Sequence, residues 1–198
     1  MKLYKFRALG DCKDFERIED IIDNGFYCND FLRFNDMNEG VYKNNSTNKD
    51  ITLKGKLYYK TCSFSGEKAL KSELMWGHYA NAGKGVVIEI NIENCENIES
   101  VEYGNICDYD NIKDILRNKS NEWSYEDEYR YMLTDETCNK IKIGTIKKIH
   151  FGRPYKHLSN YRNIIKNHKP LSDYLDLKTQ LEDLCEEKGI CCEDFNFS

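Results

Sequence analysis

At 198 residues the chain is long enough to bury a core as one domain, and its formal charge of −5 disfavours non-specific binding to nucleic acid or anionic lipid. Hydrophobic residues make up 40% of it, with fourteen tyrosines, while two prolines and twelve glycines argue against a fibrous or disordered chain. No apolar run reaches membrane-spanning length, and Met1-Lys2-Leu3-Tyr4-Lys5 lacks the apolar core of a signal peptide. A cytoplasmic protein with no membrane partner is the expectation. Nine cysteines stand at 12, 28, 62, 95, 107, 138, 185, 191 and 192 without a Cys-x-x-Cys pair, so free thiols are expected and no metal site.

Leu3-Tyr4-Lys5-Phe6-Arg7 alternates apolar and basic residues, which predicts an opening strand with Lys5 and Arg7 on one face. Asp14 is placed to cap a helix whose stripe is Phe15, Ile18, Ile21 and Ile22, stopped by Asn24-Gly25. Phe26-Tyr27-Cys28 reads as a second strand, followed by a long polar loop from Arg33 to Asp50 suited to a lid or binding loop. Leu57 to Ser65 predicts a central strand with Thr61, Ser63 and Ser65 on one face, opposite Cys62 and Phe64. Those hydroxyls either serve a ligand or bond neighbouring backbone.

Leu70 to Asn81 predicts a helix with Leu70, Leu74 and Gly77 on one stripe and Met75, His78 and Tyr79 on the next. Gly83-Lys84-Gly85 then turns into a buried strand, Val86 to Ile90. A phosphate-loop reading of that turn fails, because the glycine spacing is wrong, Gly85 stands where Ser or Thr is required, and a strand follows. A short strand is expected at Val101-Glu102-Tyr103, a short helix at Ile112, Ile115 and Leu116, and one or two strands from Ile141 to Phe151 carrying Lys142, Lys147 and Lys148. Two closing helices follow, one through Leu158, Tyr161, Ile164 and Ile165, the other through Tyr174, Leu177, Leu181 and Leu184 and ended by Gly189. A final strand falls between Ile190 and Phe197.

The stretch Trp123-Ser124-Tyr125-Glu126-Asp127-Glu128-Tyr129-Arg130 carries the densest chemistry. Read as one strand, it sets Ser124, Glu126, Glu128 and Arg130 on one face. Two carboxylates that close repel, so a cation or ligand must compensate them. The other reading is a solvated strand edge neutralised by Arg130 and nearby lysines.

Four blocks in order resemble a bacterial family known chiefly as a domain of unknown function: Leu3 to Arg7; Phe34-Asn35-Asp36; Cys62-Ser63-Phe64-Ser65 with Leu74 to Ala80; and Trp123 to Arg130. The resemblance covers about the first 155 residues, leaving 156–198 as a C-terminal helical segment of the same domain. Relatives typically continue Phe-Asn-Asp with Pro-Phe-Glu, where this chain has Met37-Asn38-Glu39. More distantly, the pattern resembles the ADP-ribosyltransferase fold, which implies an α+β (mixed α/β) domain, a mostly antiparallel sheet with flanking helices.

That second resemblance implies an NAD site. Arg7 takes the first-strand cation's role, Ser63 or Ser65 the middle one, and Glu128 the late catalytic acid, with Glu126 as the outer acid that activates an acceptor. The expected activity is cleavage of the nicotinamide–ribose bond of NAD, with transfer of ADP-ribose to an unknown macromolecule or to water. Trp76, Tyr79 or Trp123 would stack on a base, His78 would bond a phosphate or an acceptor, and Arg130 would orient Glu128. The alternatives are a non-catalytic nucleotide- or protein-binding module, in a phage-defence or toxin setting, and, ranked last, a metal-dependent nuclease using Glu126, Glu128 and His78.

Overall fold

The computed structural model describes residues 1–30, 55–93, 95–104, 112–134, 139–155 and 167–196. The opening alternation becomes β1 (Lys2–Ala8), which lies near the middle of the main sheet. The other strands of that sheet are β3 (Lys60–Ser65), β4 (Gly85–Ile92), β5 (Ile98–Ser100), β8 (Glu128–Leu133), β10 (Gly144–Phe151) and β11 (Cys191–Asp194). Two small pairs lie apart, β2 (Phe26–Tyr27) with β9 (Lys140–Ile141), and β6 (Glu102–Tyr103) with β7 (Asn118–Lys119). The seven-stranded order is β11-β10-β4-β1-β3-β8-β5, antiparallel throughout except where β11 runs parallel to β10. The expected mixed α/β architecture with a mostly antiparallel sheet is therefore present.

Each face of the sheet has its own apolar layer. One face, bearing Leu3, Phe64, Ile88 and Ile149, is covered by α1 (Cys12–Asn24) and by α5 (Lys169–Lys188), whose Leu171, Tyr174 and Leu181 are buried. The other, bearing Tyr4, Phe6 and Val87, is covered by two short helices, α2 (Glu67–Leu70) and α3 (Glu73–Tyr79), and one more short helix, α4 (Ile112–Leu116), leads into β7 as the sequence predicts. A strand covered on both sides needs apolar residues at successive positions, as Val86, Val87 and Ile88 of β4 show at 0% exposure each. Among the described residues no helix is long and apolar enough to cross a membrane.

Several local expectations are corrected. Helix α1 is capped by Asp11, whose side chain accepts from Asp14 N at 2.9 Å; Asp14 sits inside the first turn and accepts from Gly10 N at 3.0 Å. β3 starts at Lys60 instead of Leu57, because Tyr58 N and Tyr59 N bond back to Gly55 O and Lys56 O in a turn. The helix expected over Leu70 to Asn81 is broken at Ser72, whose Oγ accepts from Met75 N and starts α3 afresh. Met75 and Trp76 are then buried, while Leu74 is exposed.

The Trp123–Arg130 stretch is not one strand. Asn121–Glu126 forms a 3-10 helix, Asp127 takes the left-handed conformation (φ 46, ψ 49), and β8 begins at Glu128. Aspartate tolerates that conformation better than most residues, and here its side chain accepts from Lys68 N at 3.2 Å while its carbonyl accepts from Gly66 N at 2.7 Å. Gly189, at φ 68, ends α5 as expected and feeds β11. The Phe34-Asn35-Asp36 block, the whole long polar loop from Arg33 to Asp50 and the helix through Leu158 to Ile165 fall outside the described residues.

The site is positioned by strand register. β1 pairs with β4 along its whole length, yet meets β3 at a single position, Tyr4 opposite Ser65. Beyond that pair the two strands part. At the far end of the gap Asn29 takes up β3, exchanging both backbone hydrogen bonds with Thr61 at 2.9 and 2.7 Å. Between these closures the Ser63 carbonyl is bonded by the Lys5 ammonium, a side chain reaching across where a strand would otherwise lie.

Candidate functional site

A cavity of about 300 Å³ occupies this gap, lined on β1 by Tyr4 to Arg7, on β3 by Thr61 to Ser65, and at its wall by Lys119, Glu126, Glu128 and Arg130. Because it opens through the sheet at the gap, residues from both faces of β1 and β3 contribute. Of the candidates expected from sequence, Arg7, Ser63, Ser65, Tyr79, Glu126, Glu128 and Arg130 all line it.

The acids are held in a buried ionic cluster. Arg130, 1% exposed, grips Glu128 through Nε to Oε1 at 2.8 Å and Nη2 to Oε2 at 2.9 Å, and its Nη1 donates to Leu116 O. Lys119 Nζ donates to Glu126 Oε2 at 2.5 Å and Glu128 Oε2 at 3.3 Å, while Tyr79 donates its hydroxyl proton to Glu126 Oε1. The left-handed residue Asp127 explains how acids on a 3-10 turn and a strand both reach one ammonium group. Tyr103 braces the start of β8, its hydroxyl oxygen accepting from Glu128 N at 2.7 Å.

Burial by itself would raise the Glu128 pKa. The charge and hydrogen bonds of Arg130, the Lys119 charge and the Ser63 hydroxyl overcome it and hold the carboxyl down at about 2. Glu128 is thus a fixed anion at neutral pH. Partial burial pushes the Lys5 ammonium and the Arg7 guanidinium below their ordinary values, the direction expected of basic groups with reduced hydration. Among the described residues no carboxylate pairs with Arg7.

Among the described residues, the cations lining the cavity number four (Lys5, Arg7, Lys119, Arg130) against two carboxylates. Lys119 and Arg130 balance Glu126 and Glu128, so Lys5 and Arg7 leave a positive surplus. Thr61, 2% exposed, adds a buried hydroxyl oxygen with no hydrogen-bond partner among the described residues. A low-dielectric cavity with cations not balanced by carboxylates and an unsatisfied hydroxyl is matched to an anion rich in oxygen. A second cavity of about 520 Å³ adjoins it, sharing Phe6, Arg7, Tyr27 and Tyr79 and adding His78.

Three of the expected ligand contacts sit elsewhere. Trp76, 3% exposed, is a core residue. Its Nε1 donates to Leu70 O at 2.9 Å, and its ring meets Phe6 edge-on and stacks on Phe195. Trp123 lies against Lys119 Nζ, 4.6 Å from the ring centroid, and does not line the cavity. His78 is exposed, its Nδ1 3.2 Å from the Tyr125 hydroxyl, and it lines the second cavity only. Lys119 and Tyr103 were not expected. Nothing in the stretch Asn118-Lys119 distinguishes that lysine from a surface one; only the pairing of β6 with β7 brings it under the two glutamates.

Comparison with known proteins returns no match: no family model, no curated protein and no solved structure is significantly similar to the chain.

Proposed function

We propose that the chain is an ADP-ribosyltransferase-like enzyme that cleaves the nicotinamide–ribose bond of NAD and passes ADP-ribose to an acceptor or to water. The observation that carries the reading is the single cavity in which Arg7, Ser63, Ser65, Glu126 and Glu128 converge from three separate parts of the chain. In sequence these residues are linked by nothing except the resemblance described above. Two adjoining cavities that meet at Arg7 suit a ligand with two cyclic ends joined by a diphosphate, whose negative charge the guanidinium would bond in bidentate fashion.

The chemistry follows from the fixed anion. Loss of nicotinamide develops positive charge on the ribose, as glycoside cleavage does on its sugar. Glu128, ionised at neutral pH and held rigidly by Arg130, would lower the energy of that state without reorganising. Its oxygens already accept from Arg130 twice, from Lys119 and from Ser63, close to the roughly four lone-pair sites of a carboxylate. A ribose hydroxyl would therefore replace Ser63 or Lys119 as donor. Glu126, bonded by Lys119 and Tyr79, keeps acceptor capacity for an incoming nucleophile.

That near-saturation of Glu128 also favours a second reading, a module that binds a nucleotide in the same cavity without turning it over. Nicotinamide release from NAD, measured for the native chain and for Glu128→Gln and Glu126→Gln at matched folding, separates them. The transferase reading expects release that falls by a hundredfold or more in Glu128→Gln, roughly the effect of removing one transition-state contact of this kind. NAD binding without release, unchanged in Glu128→Gln, selects the binding module. No binding of NAD at all sinks the transferase reading and leaves the module with a different ligand.

A further inference from the structure

Cys62 lies in the cavity wall on β3, and Cys28 lies just before Asn29 in the segment that closes the gap. Asn29 and Thr61 exchange both of their backbone hydrogen bonds. In an antiparallel ladder the next residues, Cys28 and Cys62, then face each other as a non-hydrogen-bonded pair. Such pairs have Cα atoms about 4.5 Å apart and side chains on the same side. That separation falls inside the range a disulfide spans, roughly 4.4–6.8 Å. Cys28 turns its own N–H the other way, to Asn139 O at 2.8 Å, and its thiol is hydrogen-bonded to Cys62. Neither cysteine is in a disulfide, both are almost wholly buried, at 1% and 2% exposure, and of the two only Cys62 reaches the cavity.

The geometry points to Cys28 and Cys62 as a reversible redox modification site that takes a hydroperoxide through the cavity and stores the oxidation as a disulfide across the gap. Cys62 is the attacking sulfur, since it is the one a small oxidant in the cavity can reach. Burial would raise its pKa, but the Cys28 hydrogen bond and the Lys5 and Arg7 charges outweigh burial and bring it below the ordinary thiol value, which favours the nucleophilic form at the sulfur that faces the cavity.

The sulfur attacks one peroxide oxygen; the S–O bond forms, the O–O bond breaks, and the departing oxygen leaves as alcohol or water after taking a proton. Cys28 sulfur then attacks the sulfenic sulfur of Cys62. The S–S bond forms, the S–O bond breaks, and hydroxide leaves as water with the proton from Cys28. Two electrons, one from each thiol sulfur, reduce the peroxide. The new bond ties the segment holding Tyr27 and Asn29, both cavity residues, to β3.

The test is limited hydrogen peroxide on the full chain, followed by alkylation of the remaining thiols and mass-spectrometric mapping of cross-linked peptides. The expected product joins Cys28 to Cys62, with loss of both alkylation sites, and dithiothreitol restores them. In Cys28→Ser the sulfenic acid has no resolving thiol, so a dimedone adduct on Cys62 is expected. Cys185 and Cys192 form a second hydrogen-bonded thiol pair, between α5 and β11, and provide an internal comparison on the same folded sample. Oxidation confined to that pair or to exposed cysteines, with Cys28 and Cys62 still alkylatable after unfolding, overturns the assignment.

Discussion

Arg130 and Glu128 are two residues apart on β8 and point to the same side of the sheet, where the guanidinium meets the carboxylate with two parallel hydrogen bonds of 2.8 and 2.9 Å. Both are buried, at 1% and 5% exposure, so neither finds water if its partner is removed. Breaking such a pair from one side typically costs about 3–5 kcal/mol, because an uncompensated charge stays behind, whereas replacing both ends by apolar groups is often far milder. Arg130→Leu is expected to lower unfolding stability in urea by that amount. The double variant Arg130→Met with Glu128→Leu leaves Lys119 balanced by Glu126 and should lose less. A double variant less stable than the single one would show that the cluster is not held together by charge pairing.

The same pair sets a dependence on acidity. The folded Glu128 carboxyl sits at about 2, below its ordinary value of 4.5. A depressed folded pKa gives stability that is fully present above the unfolded value and is lost as pH falls toward the folded one. The window is therefore about pH 4.5 down to 2, and the amount is roughly 3 kcal/mol at one pKa unit per 1.36 kcal/mol. Urea midpoints taken across that window should fall for the native chain. For Glu128→Gln they should fall less steeply, by about the contribution of one carboxylate. Equal slopes for the two chains would remove Glu128 from the account of acid sensitivity.

What the sequence makes legible here depends on how local the cause is. The alternation of Leu3 to Arg7 places Lys5 and Arg7 on one side through the two-residue period of a strand alone, and both reach the cavity. Helix α1, strand β4 and the Gly189 stop follow from stripe, apolar run and turn residue in the same way. The Trp123–Arg130 stretch gives its residues but not its geometry, because the deciding event is one left-handed residue supported by Gly66 and Lys68, about sixty positions away. Trp76 shows the converse: its neighbour Phe195 lies near the end of the chain, so no local pattern assigns it to the core. Lys119 is legible from neither, since its role is created by the pairing of β6 with β7.

Asp127 offers a direct test of that long-range control. Its φ of 46 is one that a β-branched side chain strongly resists and that glycine adopts freely. Asp127→Val should therefore destabilise the chain by at least about 1–2 kcal/mol, the usual cost of the left-handed conformation, and displace Glu126 from Lys119. Asp127→Gly keeps the turn and loses only the bond to Lys68 N, so it should retain most of the stability and any NAD-dependent activity. Thermal melts of the two variants give the comparison. A valine variant as stable as the glycine one would mean that the turn is not required.

The positive surplus of the cavity predicts an anion preference that is independent of catalysis. Among the described residues, Lys5 and Arg7 are the lining cations not already balanced by a glutamate, and the Thr61 hydroxyl in the same cavity has no hydrogen-bond partner. Hydrogen bonds to charged groups contribute about 1.5–3 kcal/mol each, so losing the guanidinium should weaken binding by roughly tenfold or more. Inorganic pyrophosphate is the simplest probe. Calorimetric titration should show binding to the native chain, weakened in Arg7→Gln and unchanged in Lys169→Ala, where the lysine side chain is 84% exposed and far along the chain on α5. Because both cations are half-buried, added salt should weaken the interaction less than it weakens binding to exposed lysines. Equal affinity in the native chain and Arg7→Gln would place the anion elsewhere and leave the diphosphate reading of the two joined cavities without support.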